Sequence, residues 1–421
     1  MQELIQNLKQ VNWDFSDYNS LKYPLDINSI PWYPAAFPPP IPKFLIALLS
    51  EEDNVVFDPF GGRGTTIIEA MKQNRRFYYN DLNPFATDTT KNMVGIIKGC
   101  CIDKKLVSAV LEEDKEMLSN KPVRICESDY EGKKEEIIKE KCPKWLLDNI
   151  KELQLSEELI YWYHVDTLSE LLDIYRLIKQ DNKEEAYHVR KFAFVAILKE
   201  VCSQRGHFTY ITDNCKPSII KYYDAISAYF SMLERVEYSM REYLKQFDVL
   251  NCGGDLLKII ERSSINCGDS KKLDWIESNS VDFVMTSPPY LCAQDYVKTM
   301  RLINLFFPNK EFLELSAQEI GARYRRQGRA EEIVKKFYDD MSIVFGEIDR
   351  VLKSNKYFGL VLGQGKGKVT QGYDTIRDIS DMIVNEFNFE NIFETTRNIS
   401  FKSVRIGGVD SEKIIIFQKR K

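Results

Sequence analysis

The stretch Asn54-Val-Val-Phe-Asp-Pro-Phe-Gly-Gly-Arg-Gly-Thr-Thr66 decides how the rest of the chain is read. Its opening residues are apolar or β-branched up to Asp58, the pattern of a short strand buried on both faces. Pro59 closes that strand. Gly61-Gly-Arg-Gly64 then lets the backbone turn tightly and approach a ligand at a helix start. Residues 67–74 continue at helical spacing, and Arg76-Phe-Tyr-Tyr-Asn80 is a second strand, closed by Asp81. Strand, glycine turn, helix, strand and acid form the unit from which doubly wound α/β sheets are built, and such sheets bind ligands beyond the carboxyl ends of their strands.

Working outward, the same logic extends toward both ends. Ser280-Val-Asp-Phe-Val-Met-Thr-Ser-Pro-Pro-Tyr290 is a buried strand that stops at two prolines. Pro288 and Pro289 have a fixed φ and no N–H, so they hold carbonyls rigidly outward beside the Ser287 hydroxyl and the Tyr290 ring. Residues 259–267 read as a further strand, with Asp269 just past its end. Residues 337–352 form a helix, 357–362 a strand, 376–387 a helix, and 389–395 and 412–419 the last strands. On the amino-terminal side, residues 30–42 are too rich in proline for a helix or sheet interior and are expected as an ordered extended segment before a helix over 43–50. Residues 100–251 change character: few glycines, many Lys, Glu, Leu and Ile, and apolar residues at helical intervals. The expected organisation is therefore 1–99 and 252–421 as two parts of one α/β domain, flanking a mostly helical insertion over 100–251.

Composition narrows the function. The 421 residues exceed what one core usually organises, and 44% hydrophobic with 29% charged residues is ordinary globular composition. A formal charge of −5 gives no global nucleic-acid signature, so phosphate contacts would come from a local patch. Arg323, Arg325, Arg326 and Arg329 form one, with no acid among them. The nine cysteines are an odd count without a Cys-x-x-Cys pair, which reads as reduced thiols in a cytoplasmic protein. The three histidines lack ligand spacing, so no metal site is expected. No secretory signal is visible, and no run approaches the roughly 18 apolar residues of a membrane span.

The glycine loop fails two common fingerprints. A dinucleotide site needs Gly-x-Gly-x-x-Gly, but counting from Gly62 the sixth residue is Ile67. A P-loop needs Gly-Lys followed by Ser or Thr, whereas Gly64 precedes Thr65, and Gly363-Gln-Gly-Lys-Gly-Lys368 also fails the spacing. NAD and ATP are disfavoured. An adenosine ligand remains attractive, because Asp81 at a strand end can accept hydrogen bonds from ribose hydroxyls.

Asp58-Pro-Phe-Gly-Gly-Arg-Gly-Thr65 together with Thr286-Ser-Pro-Pro-Tyr290 resembles the cofactor and catalytic motifs of amino-group DNA methyltransferases, in the Ser-Pro-Pro-Tyr branch that makes N4-methylcytosine. Arg350-Val-Leu-Lys353 and the aromatic, proline-rich run 33–38 are similar to that family as well. The resemblance covers residues 30–95 and 255–421 and leaves the helical middle unexplained. It implies a Rossmann-like, doubly wound methyltransferase sheet carrying a large helical insertion, with S-adenosylmethionine as cofactor. Phe37, Asp58 and the loop residues Phe60, Gly62, Gly64 and Thr65 would hold the methionine end, Asp81 the ribose and Asp269 the adenine amine. Thr286 would border the cofactor, and Ser287, Pro288, Pro289 and Tyr290 would act on the target base. The implied partners are double-stranded DNA and a cognate restriction endonuclease or other defence-system subunit. The insertion and the arginine cluster are the two candidates for target recognition. Ser287 favours cytosine; adenine-N6 methylation of DNA or structured RNA, protein-glutamine methylation by the similar Asn-Pro-Pro-Tyr enzymes, and a catalytically silent nucleic-acid-binding subunit are the alternatives. The intact glycine loop and intact Ser-Pro-Pro-Tyr argue against silence.

Overall fold

The computed structural model describes residues 1–15, 26–30, 33, 38–119, 124–204, 216–248, 253–292, 295–322, 329–365, 369–399, 409 and 411–421. Seven strands form the central sheet: β1 (Val55–Asp58), β2 (Arg76–Asp81), β3 (Ser264–Cys267), β4 (Val281–Thr286), β5 (Leu352–Gly363), β6 (Phe389–Asn398) and β7 (Ser411–Lys419). Their order is β3-β2-β1-β4-β5-β7-β6. The first five are parallel, and β7 runs antiparallel between β5 and β6. Chain order reverses between β1 and β4, the topological switch point where open sheets of this kind bind ligands.

Both faces of this sheet are covered, and the strand sequences show it. Val55 and Phe57 pack into one core and Val56 into the other; Ile415 and Phe417 likewise oppose Ile414 and Ile416. Such two-sided burial requires the near-continuous apolar runs seen in β1 and β4. Helices Ala330–Val351 and Thr375–Glu386 cover one face. Helices Pro40–Leu49, Thr65–Lys72 and Pro84–Ile102 share the other with the helices of residues 106–248, in one continuous apolar cluster. Ile67, Ile68 and Met71 are fully buried there, each stabilising by about 1.5–3 kcal/mol.

The region 100–251 is helical in its described parts, apart from a short ladder pairing Tyr130–Glu131 with Ile219–Ile220. A buried cation fastens it. Arg190 donates to Asp114 at 2.8 Å and Glu113 at 2.8 Å and also pairs with Asp181, while the Tyr229 hydroxyl donates to the second Asp114 oxygen at 2.8 Å. Helices Leu106–Met117, Glu184–Ile197 and Ala225–Asp248 are thus joined through two charged side chains.

Three sequence expectations need correction. The strand expected over 259–267 begins only at Ser264, because Leu256 and Ile259 instead bury one face of helix Gly253–Glu261. A short apolar run does not by itself separate strand from buried helix. The proline-rich segment is not extended to its end: a helix starts at Pro40. Pro40 and Pro42 sit in the first turn, where backbone N–H groups lack intrahelical partners, so the missing donors cost nothing. Leu352 opens β5 and does not close the preceding helix, which itself starts earlier, at Ala330.

Candidate active site

The site is built at the carboxyl rim of β1 to β4. Asp58 ends β1 and is 1% exposed. It accepts from the Phe60 N–H at 3.1 Å, the Thr66 hydroxyl at 2.5 Å and the Thr286 hydroxyl at 2.6 Å. The last bond crosses the switch point and ties β4 to the glycine turn. Burial outweighs these three donors and pushes the Asp58 carboxyl up to about 6. Gly64 lies in the left-handed region at φ +85° and caps helix Thr65–Lys72, a conformation that costs other residues strain. Gly61 is required by close approach, since a Cβ there would strike the Tyr79 ring.

Asp81 ends β2 and holds the loop from the other side. Its oxygens accept the Gly62 N–H and the Asn83 N–H, each at 2.8 Å, and burial pushes its carboxyl up to about 6 as well. The Tyr79 hydroxyl donates to the Gly62 carbonyl at 2.6 Å. Past β3, Asn80 donates to the Gly268 carbonyl at 2.8 Å, and Ser270 donates to the Pro59 carbonyl at 2.5 Å. Asp269 accepts the Lys271 N–H at 3.0 Å. Three strand-end loops are therefore stitched into one rigid wall.

A cleft of about 840 Å³, its open mouth included, follows that wall. Phe60, Gly62, Thr65, Asp81, Asp269, Ser287 and Pro289 of the sequence-predicted residues line it together. Asp58, Gly64, Thr286, Pro288 and Tyr290 stand behind or beside the lining. Phe37, Arg323, Arg325 and Arg326 lie outside the described residues. Arg329, just ahead of helix Ala330–Val351, is exposed and 3.7 Å from Glu332. Tyr33 adds a wall, its ring against Gly62 and 6.3 Å from that of Tyr296.

The Ser-Pro-Pro-Tyr corner forms the far side. Ser287 Oγ and Tyr290 Oη lie 3.3 Å apart, and Tyr290 donates to Glu412 Oε1 at 2.9 Å. Glu412 on β7 is in turn paired with the buried Arg397 of β6. The Tyr290 ring packs against Gly363, where a Cβ would collide with it. Since the Tyr290 proton goes to Glu412, Ser287 is the donor to Tyr290, and the Ser287 oxygen keeps its lone pairs for the cleft.

Several lining residues escaped the sequence reading, Tyr33, Tyr296 and Glu319 among them, as did the supporting Glu412. Tyr33 and Glu319 line the cavity, and Glu412 fixes the corner. Tyr33 was visible only as part of an aromatic run; Glu319 and Glu412 sit in no motif. Among the described residues, no group of three or more His, Cys, Asp or Glu is placed to hold a metal ion, and no helix is long and apolar enough to cross a membrane.

Comparison with known proteins meets this geometry at its glycine loop. Residues 3–92 match a family model described as DNA methylase, of the N6/N4 type. The chain is 33% identical over 87 residues to the Type II methyltransferase M.HindIII of Haemophilus influenzae, covering 21% of this chain and 28% of that protein. It is 38% identical over 52 residues to the Type II methyltransferase M.PvuII of Proteus hauseri, covering 12% and 16%. With the Type II methyltransferase M.MjaI of Methanocaldococcus jannaschii it shares 27% identity over 140 residues, covering 32% and 43%. The chain thus spans less than half the length of each of these relatives. Through residues 3–92, which carry the glycine loop and the first two strands of the sheet, the chain is similar to the amino-group DNA methylases.

Proposed function

We propose that this chain transfers a methyl group from S-adenosylmethionine to the exocyclic N4 amine of cytosine in double-stranded DNA. The observation that carries the proposal is the presence of Ser287 and Pro289 on the wall of the same cleft that Asp81, Asp269 and the glycine loop line. The cleft suits the cofactor in its chemistry. Each Asp81 oxygen accepts one backbone N–H and retains a lone pair for a ribose hydroxyl. Asp269 would take the adenine amine, and Tyr33 with the glycine loop would flank the methionine end. Bound there, the cofactor supplies an electrophilic methyl group on a sulfonium.

The target amine is a poor nucleophile because its lone pair is delocalised into the base. Ser287 Oγ and the Pro288 carbonyl accept its two hydrogens, which lets the nitrogen pyramidalise and aim its lone pair at the methyl. No strong base is needed. Orientation for in-line displacement supplies most of the gain, an effect of roughly 7–11 kcal/mol in well-aligned systems. Glu412 and Arg397 hold Tyr290 in place, and stacking of the base on that ring would contribute about 1–3 kcal/mol. The base has to leave the duplex to reach the corner. Arg329 and the preceding arginines contact phosphates or base edges, and the helical region 100–251 contributes target recognition. The relatives are named Type II methyltransferases; we add a cognate restriction endonuclease as partner and the cytoplasm as the place of action.

The test is to incubate the protein with labelled S-adenosylmethionine and DNA, RNA or protein, then digest and identify the labelled unit. Label in N4-methylcytosine is expected. Label in N6-methyladenine alone would overturn the choice of base, and label in RNA or protein alone would overturn the choice of substrate.

A further inference from the structure

Glu319 stands on the cleft wall and is 6% exposed. Its Oε1 accepts the Val297 N–H, whereas its Oε2 is buried and has no hydrogen-bond partner in the protein. A buried, unsatisfied oxygen costs about 1–3 kcal/mol, and more when it carries charge. Burial pushes this carboxyl up to about 8; Asp81 and Asp295 add to its negative surroundings, and Lys298 offsets part of them. With no donor to Oε2 among the described residues, this carboxyl keeps its proton near neutral pH, and a cation that donates a hydrogen bond to Oε2 would draw it into the charged form.

We infer that Glu319 binds the α-ammonium group of the cofactor's amino-acid end, an assignment that rests on the cleft being the S-adenosylmethionine site. A neutral hydroxyl would satisfy the oxygen without stabilising the ionised carboxyl; a protonated amine does both. A sulfonium carries charge but no N–H. Position agrees with the chemistry. Tyr33, whose ring lies against Gly62, and Glu319 line the same cleft as the glycine loop. Asp58 does not compete for the ammonium, because its oxygens are committed to Phe60, Thr66 and Thr286 and it does not line the cavity. Arg63 lines the same cleft, so its walls carry both signs, as a zwitterion requires.

Calorimetry of the full chain and of Glu319→Gln with two ligands tests the assignment. S-adenosylhomocysteine retains the ammonium and lacks the sulfonium; 5′-methylthioadenosine lacks the amino-acid end altogether. Glu319→Gln is expected to weaken S-adenosylhomocysteine at least about tenfold, as loss of a charged hydrogen bond does, while 5′-methylthioadenosine stays within about twofold. The unchanged nucleoside also reports that the variant is folded. Equal affinity of both proteins for S-adenosylhomocysteine would overturn the assignment, and so would equal weakening of both ligands, which marks a residue that shapes the cleft as a whole. If the unsubstituted chain bound neither ligand, the cleft would not be an adenosyl site, and the proposed function would fail on its own account.

Discussion

Tyr290 illustrates how one residue's neighbours determine another's chemistry. Its hydroxyl gives its proton to Glu412 and so turns Ser287 into a group that only accepts from the cleft side. Tyr290→Phe keeps the ring and removes this control. We expect kcat to fall about tenfold, equivalent to one neutral hydrogen bond, with the cofactor Kd unchanged; wild-type turnover would contradict the orientation of the chain of hydroxyls. Asp58 makes a separate statement about pH. Its carboxyl is at about 6 in the folded chain, against an ordinary value of 3.8. Between those values the folded state holds a proton that the unfolded state has lost, so the contribution of this group to stability falls as pH rises from about 4 to about 6. Asp58→Asn should gain melting temperature relative to wild type across that window, and parallel profiles would show that burial does not govern the group. Asp58 and Asp81 were legible because an acid at the end of a strand has a defined place on the rim; Asp269 was found although the strand before it is only Ser264–Cys267 and the apolar run ahead of it is helix. Glu412 was not, since its partner Tyr290 is 122 residues away along the chain.

At the scale of elements, the strands on either side of the switch point could be read because burial on both faces demands uninterrupted apolar residues, as in β1 and β4. Helix ends and short apolar runs were less legible. Ile259 fits a strand as well as a helix until Leu256 is seen to share its face, and Pro40 looks like a breaker until it occupies a first turn. The helical region offers its own test. Arg190 is buried against Asp114 and Asp181, and removing one member of a buried charge cluster costs about 3–5 kcal/mol because its partners are left unpaired. Arg190→Met should therefore lower the melting temperature by several degrees while leaving the Kd for S-adenosylhomocysteine unchanged. An unchanged melting temperature would mean that the three helices do not depend on this clamp.

At the scale of the molecule, the order β3-β2-β1-β4-β5-β7-β6 brings residues 58, 81, 269 and 287 to one rim although they are spread over more than half the chain. That convergence was legible from the strand-end acids. The wall formed by Tyr33, Tyr296 and Glu319 was not, because irregular segments and a four-residue helix place those side chains by packing and leave no periodic trace. The central claim is that the Ser-Pro-Pro-Tyr corner and the adenosyl cleft are one active site in which Ser287 activates the amine. The most direct measurement is single-turnover methyl transfer to DNA by Ser287→Ala beside its calorimetric affinity for S-adenosylmethionine. We expect cofactor affinity within about twofold of wild type and a loss of transfer of at least about a hundredfold; full turnover by Ser287→Ala would contradict the account.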